Sequence, residues 1–315
     1  MKRPLIILTG PTAVGKTKAA IGLAKAINGE IISADSMQVY KYMDIGSAKI
    51  RPEEMCGVRH YLVDELEPDE EFNVVRFQTM AKQAMEEIYA KGKIPILVGG
   101  TGFYIQAVLY DIDFQANNDE DNTYRTELET LAKEKGASYL HDMLAHVDEE
   151  SARDIHENNV KKVIRALEYF HQTGQKISEH NAKERQKESP YNAVYFVLND
   201  DRKHLYERIN LRVDQMFEEG LVEEVTGLKA RGYKKEMVSM QGLGYKEVFD
   251  YLNGDSTLEE ALEIIKRDTR HFAKRQITWF KRERDVVWVD KKQFGYDEEL
   301  ILAEMLRILK INGIE

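Results

Sequence analysis

The chain has 315 residues, enough for one large domain or two smaller ones around a substantial buried core. Hydrophobic residues at 43% and charged residues at 32% exclude a disordered or fibrous chain, and a formal net charge of −10 means that any nucleic-acid partner needs a locally basic surface. A single cysteine, Cys56, excludes an internal disulfide and argues against a thiolate zinc site.

The chain opens as strand, loop, helix. Residues 4–8 are apolar and rich in β-formers, residues 10–15 are a glycine loop, and residues 16–27 place Ala19, Ala20, Leu23, Ala24 and Ile27 at helical spacing. The start Lys2-Arg3 is basic, but only Leu5-Ile6-Ile7-Leu8 follows before the glycine loop, so it does not read as a signal peptide. A second strand is expected over residues 30–34, ending at Asp35. Residues 72–89 carry Phe77, Met80, Ala81, Ala84, Met85 and Ile88 on one stripe and predict an amphipathic helix stopped by Gly92. Residues 94–98 predict a buried strand with Pro95 at its start or on an edge, and Gly99-Gly100-Thr101-Gly102 is its exit loop before a helix over 103–110. Residues 115–122 are polar and loop-like, and residues 123–185 are charged and helical in pattern. Strand character returns over 191–198. From Asp201 the pattern is mainly helical, with a late β-like run at 286–289 and a last amphipathic helix at 298–311.

Alternating strands and helices predict an α/β fold with a parallel sheet flanked by helices and a helical insertion domain, and Gly10-Pro11-Thr12-Ala13-Val14-Gly15-Lys16-Thr17 after the first strand makes that sheet P-loop NTPase-like. Residues 1–112 and 191–315 form the core, and residues 113–190 the insertion. No apolar run approaches the roughly 20 residues that cross a bilayer. The eight histidines show no His-Glu-x-x-His pattern. The expectation is a cytoplasmic protein without a membrane partner.

Gly10-Pro11-Thr12-Ala13-Val14-Gly15-Lys16-Thr17 fits G-x-x-x-x-G-K-[ST]. Its glycines let the backbone approach a phosphate, and its amides and the following helix N-terminus attract the anion. Lys16 adds a full charge, and the Thr17 hydroxyl can ligate Mg2+. The loop alone fits a nucleotide kinase, a GTPase, an ATPase or a diphosphate-dependent transferase, although the Asn-Lys-x-Asp guanine motif is missing. Asp35, at a strand's carboxyl end, can hold a metal-bound water or act as a general base, or can cap a turn. Thr101, at a second strand edge with glycines on both sides, either aims its hydroxyl into the same crevice or caps the helix over 103–110. Residues 266–285 set eight basic side chains against three acidic ones, with Phe272, Trp279 and Phe280 interleaved. That composition suits a phosphate backbone with unstacked bases, or a solvated helix whose rings face a core.

The phosphate loop is followed in order by Asp35-Ser36-Met37-Gln38-Val39-Tyr40, Met43-Asp44-Ile45-Gly46-Ser47-Ala48-Lys49, Arg59-His60-Tyr61-Leu62-Val63-Asp64 and Gly99-Gly100-Thr101-Gly102-Phe103-Tyr104. Then come Arg165-Ala166-Leu167-Glu168, Gln241-Gly242-Leu243-Gly244-Tyr245-Lys246-Glu247 and Ala273-Lys274-Arg275-Gln276-Ile277-Thr278-Trp279-Phe280. Across residues 4–290 this series resembles the bacterial tRNA dimethylallyltransferases, also called tRNA isopentenyltransferases. The resemblance implies transfer of a dimethylallyl group from dimethylallyl diphosphate to N6 of the adenosine 3′ of the anticodon. By it, the loop, Lys16 and Mg2+ on Thr17 hold the diphosphate, Asp35 takes the amino proton and Thr101 bonds near the reacting groups. The adenine leaves its stack to reach the donor.

The same resemblance implies tRNA contacts from Asp35, Ser36, Met37, Gln38, Thr101, Arg208 and the run Gln241-Gly242-Leu243-Gly244-Tyr245-Lys246. It adds Arg270, Lys274, Arg275, Gln276, Thr278 and Trp279. In the insertion, which would clamp the anticodon stem, it implies Arg125 and Asn159-Val160-Lys161-Lys162-Val163. Asn159 and Lys162 stand where Asp and Arg are usual, and Tyr42 and Ser47 where Gly and Thr are. The chain is expected to act as a monomer. A P-loop kinase, an RNA-binding module without activity and a prenyltransferase acting on free adenylate are the competing readings. Lys16, Thr17 and Asp35 together with the basic segment favour the tRNA enzyme.

Overall fold

Apolar runs too short for helices, each followed by a helix with one apolar stripe, can bury both sheet faces only as parallel strands between helical layers. The computed structural model, which describes residues 2–114 and 123–314, has this arrangement. The chain divides into two units, Met1–Leu109 with Pro190–Glu315, and Tyr110–Ser189.

In the first unit the strands are β1 (Pro4–Thr9), β2 (Gly29–Ala34), β3 (His60–Tyr61), β4 (Ile94–Gly99), β5 (Asn192–Asn199) and β6 (Val286–Asp290). They form one sheet in the order β3-β2-β4-β1-β5-β6, and every pairing is parallel. β1 therefore lies inside the sheet between β4 and β5. Its exit loop opens where the chain order reverses, which is where open α/β sheets bind ligands.

Burial explains the layering. Ile6 and Leu8 of β1, Ile96 of β4 and Phe196 of β5 join one core cluster with Ala20 and Leu23 of α1 (Lys16–Ala26). Their neighbours Leu5, Ile7, Leu97 and Val197 are equally buried but point to the other face, as a period of two requires. α2 (Val74–Ala90) and α3 (Gly102–Leu109) pack together there, with Phe77 stacked on Tyr104 at 4.4 Å between centroids. The helix expected from residue 72 starts at Val74, because the Asn73 side chain accepts the amides of Val75 and Arg76 at 3.0 Å each. Pro95 is the second residue of an interior strand. Pairing of β4 with β1 begins one residue later, so the missing N–H falls at the strand's start.

The second unit holds α4 (Thr123–Lys135), α5 (Ala137–Val147), α6 (Glu149–Asp154), α7 (Val160–Thr173) and α8 (Ile177–Gln186), with no strand among its described residues. Leu128, Leu140, Leu144, Val163 and Leu167 form its core. The loop expected at 115–122 lies outside the described residues. The first unit continues through α9 (Arg202–Glu218), α10 (Leu221–Ala230), α11 (Tyr245–Asn253) and α12 (Leu258–Phe280), and closes with α13 (Glu298–Ile311). No helix among the described residues is long and apolar enough to cross a membrane.

Candidate active site

The loop after β1 takes left-handed steps at Gly10 (φ 145°), Ala13 (φ 63°) and Gly15 (φ 100°), a backbone shape that turns successive N–H groups to one side. A Cβ at Gly10 would collide with the carbonyl oxygen of Leu198 on β5, so only glycine lets the loop leave the sheet here. Lys16 opens α1 and folds its ammonium back onto the carbonyls of Gly10 and Pro11, at 3.0 and 2.9 Å. Two arginines one turn apart on α9 join it: Arg208 donates Nε to the Ala13 carbonyl at 2.9 Å, and Arg212 reaches the Thr12 hydroxyl at 3.5 Å. Behind the loop the buried Lys291 donates to Val14 O at 3.3 Å and pairs with Glu298 at 2.7 Å. Burial pushes the Lys16 ammonium down to about 8. The positive Arg212 works in the same direction and Asp35 opposes it. Burial also lowers Arg212, again against the pull of Asp35. The site thus concentrates positive charge in poor solvation, a condition that an anion relieves.

A cavity of about 490 Å³ opens over the loop. Thr12, Ala13, Gly15, Lys16 and Thr17 form its floor, and Arg208, Leu211, Arg212 and Gln215 of α9 one wall. Ser33, Asp35, Gln38, Ser47, Ala48, Val98 and Gly99 complete it. Asp35 leaves β2 at its carboxyl end. Its Oδ1 accepts the Met37 amide at 2.8 Å, so the carboxylate both caps a turn and faces the cavity. Gln38 is held by the Ser33 hydroxyl at 3.1 Å and donates to Ala48 O at 3.3 Å. Thr101 donates its amide to the carbonyl of Ala34, the residue before Asp35, at 3.3 Å, and its own carbonyl accepts the amides of Tyr104 and Ile105 in α3. Thr101 is thereby next to Asp35 across the β2–β4 edge, but it is not among the residues that line the cavity.

The other residues expected to meet tRNA divide by burial. Lys274, Arg275, Thr278 and Trp279 are exposed on α12, Arg270 donates to Asn210 at 2.6 Å, and Gln276 is buried. Gln241 is exposed and Lys246 half-buried, and a Cβ at Gly242 would collide with the Met37 methyl. Tyr245 is wholly buried: its ring lies under Gly46 and its hydroxyl donates to Glu224 at 2.8 Å. Glu224 also accepts the amides of Asp44, Ile45 and Gly46, so Tyr245 seats that loop and its side chain has no surface for a partner.

In the helical unit, Val163 is likewise core. Arg125 makes two bonds to Glu168, at 2.8 and 2.6 Å. Asn159 precedes α7 without a side-chain cap, and Lys161 and Lys162 are exposed on its first turn.

Sequence reasoning missed Arg212 and Lys291. The first had a signal, its four-residue offset from Arg208 on one helix face. Lys291 had none, because only the parallel docking of β6 brings it to the loop.

A parallel sheet whose inner strand feeds a cationic glycine loop, with a carboxylate at the next strand end, defines a P-loop-type phosphate-binding α/β protein. Residues 38–283 match the family described as IPP transferase, and the chain belongs to that family. It is 64% identical over 307 residues to the tRNA dimethylallyltransferase of Lachnoclostridium phytofermentans, covering 98% of this chain and 97% of that protein. The crystal structure of the full-length tRNA isopentenylpyrophosphate transferase of Bacillus halodurans is similar at 45% identity and a TM-score of 0.74, over 99% of this chain and 98% of that one. A eukaryotic dimethylallyltransferase acting on tRNA gives a TM-score of 0.80 at 30% identity, over 91% of this chain and 74% of that one.

Proposed function

We propose that the chain transfers a dimethylallyl group from dimethylallyl diphosphate to N6 of the adenosine 3′-adjacent to the anticodon of tRNA, giving N6-dimethylallyladenosine. The observation that carries this is the convergence of Lys16, Arg208 and Arg212 with Asp35 on one cavity. Its cationic floor suits a leaving diphosphate and its carboxylate suits an amine that must lose a proton. The N6 lone pair forms a bond to C1 of the donor while the C1–O bond breaks, its electron pair leaving with the diphosphate. Lys16 and the two arginines stabilise the charge that grows on that oxygen. Asp35 accepts the N6 proton, a contribution on the order of 10²–10⁴-fold. Thr101, beside Asp35, is assigned to hold the reacting groups.

Among the described residues no group of three or more His, Cys, Asp or Glu side chains forms a metal cage. The Thr17 hydroxyl does line the cavity, a hard oxygen donor that suits Mg2+ completed by diphosphate oxygens and water. Bound there, Mg2+ would neutralise the departing diphosphate.

For tRNA, Asp35, Ser36, Met37 and Gln38 are assigned to the target base. The exposed Lys274, Arg275 and Thr278 of α12 and the exposed edge of Trp279, whose indole packs on Gly102, are assigned with Gln241 and Lys246 to the backbone and neighbouring bases. Arg208 is better placed for the donor than for tRNA. The helical unit would meet the anticodon stem through Asn159, Lys161 and Lys162, with Arg125 reaching it only by sharing its Glu168 partner. A tRNA substrate locates the reaction in the cytoplasm.

The phosphate assignment is tested by titrating inorganic diphosphate into Lys16→Ala and Arg212→Gln. Each is expected to bind at least tenfold more weakly than the parent, the weight of one charge-assisted bond at about 1.5–3 kcal/mol. Unchanged binding in both removes the donor from this cavity.

A further inference from the structure

We propose that Gln276 is a positioning residue that holds the phosphate loop in register with the Gly100-Thr101-Gly102 loop, and so aligns donor with acceptor. The proposal rests on the prenyl-transfer reading of the same site.

Gln276 lies on the basic, aromatic helix α12, yet it is only 6% exposed and both ends of its amide bond within the protein. Its Oε1 accepts the amide of Thr12, inside the phosphate loop, at 2.9 Å. Its Nε2 donates to the carbonyl of Gly100, immediately before Thr101, at 3.0 Å. One side chain thus ties together two loops that leave different strands and are 88 residues apart in sequence.

The fit leaves little slack. A Cβ at Gly100 would collide with Gln276 Nε2, and one at Gly102 would collide with the indole of Trp279, three residues further along α12. The helix therefore packs its inner face against both glycines that flank Thr101 while it presents Lys274, Arg275 and Thr278 outward. A planar amide that donates at one end and accepts at the other is the side chain this gap requires. Lysine or arginine could serve the outer face, but neither can accept the Thr12 amide. That amide is also diverted from the phosphate cradle, so Gln276 fixes which loop N–H groups remain for the donor.

Register matters because transfer needs C1 of the donor and N6 of the adenine at near-attack distance. A misplacement of about 1 Å can cost on the order of 100-fold in rate. Loss of the tie should therefore appear in turnover rather than in affinity. The test uses Gln276→Met, which keeps the volume and removes both bonds, and Gln276→Glu, which keeps the Thr12 acceptor but sets an oxygen against Gly100 O.

With the full chain, dimethylallyl diphosphate and unmodified tRNA, kcat of Gln276→Met is expected to fall on the order of 100-fold. Donor KM and tRNA Kd should stay within about threefold, and Gln276→Glu should lie between it and the parent. Adding Thr101→Ala to Gln276→Met should cost far less than Thr101→Ala alone, because both changes break one alignment. If kcat holds, if the two changes add, or if tRNA affinity falls with kcat unchanged, Gln276 is not a positioning residue. If Gln276→Met does not fold, the kcat of Gln276→Glu against its donor KM decides in the same way. Failure of the parent enzyme itself to prenylate tRNA in this assay would instead overturn the prenyl-transfer reading.

Discussion

Lys16 sits where its charge is poorly solvated, and that has a consequence in protons. With the ammonium at about 8, a free site at pH 8.5–9 is mostly neutral at Lys16. A bound diphosphate restores the charge, so binding there takes up protons and weakens as pH rises above 8. Calorimetry of diphosphate binding in two buffers of different ionisation enthalpy should show uptake approaching one proton at pH 8.5–9 and much less at pH 7. No uptake at the higher pH would mean that the lysine does not meet the anion. Asp35→Asn keeps the cap on Met37, since an amide oxygen can still accept that N–H. It should leave tRNA affinity unchanged and lower kcat on the order of 10²–10⁴-fold. A motif and a strand end pointed to Lys16, Thr17 and Asp35, and the fold brings all three to one cavity. Gln276 was legible as a residue of interest but not for its task, since nothing in a basic helix tells an inward amide from an outward one.

At the scale of elements, the loop at 43–49 owes its shape to α10 and α11 rather than to its own sequence. Glu224 accepts three of its amides and Tyr245 fills the space under Gly46. Tyr245→Phe removes one hydroxyl from this seat and should reduce stability in urea by about 0.5–1.5 kcal/mol, with tRNA affinity unchanged. Weaker tRNA binding at full stability would return Tyr245 to the interface. The long elements were readable from periodicity: α1, α2, β1, β4, β5 and α13 fall within two residues of expectation. β3 was not, because two residues cannot show a period, and its place beside β2 is set by pairing at His60 and Tyr61. β6 was visible as a β-like run, but its position beside β5, which delivers Lys291 to the phosphate loop, was not.

For the molecule as a whole, a net charge of −10 has to coexist with an anionic partner, and the proposed meeting place is the basic outer face of α12. Neutralising Lys274 and Arg275 together should weaken tRNA binding and flatten its dependence on salt. The slope of log K against log salt should fall by about 0.7 for each phosphate that is no longer neutralised. A slope that does not move would place the tRNA elsewhere. Composition suggested the class of fold and the loop suggested a phosphate, but strand order lay beyond both. Periodicity gives elements and not neighbours, and here a chain that departs after α3 returns as β5 directly beside β1. On the proposed function, one cavity grips a diphosphate and delivers its prenyl group to an adenine amine. The most direct test is to incubate the protein with dimethylallyl diphosphate labelled in the prenyl group, Mg2+ and unmodified tRNA, and then digest the tRNA to nucleosides. Label recovered on N6 of a single adenosine per tRNA, entering on the order of 10²–10⁴-fold more slowly in Asp35→Asn, is the predicted result. Label that stays with the donor, or that enters tRNA at another atom, would contradict the account.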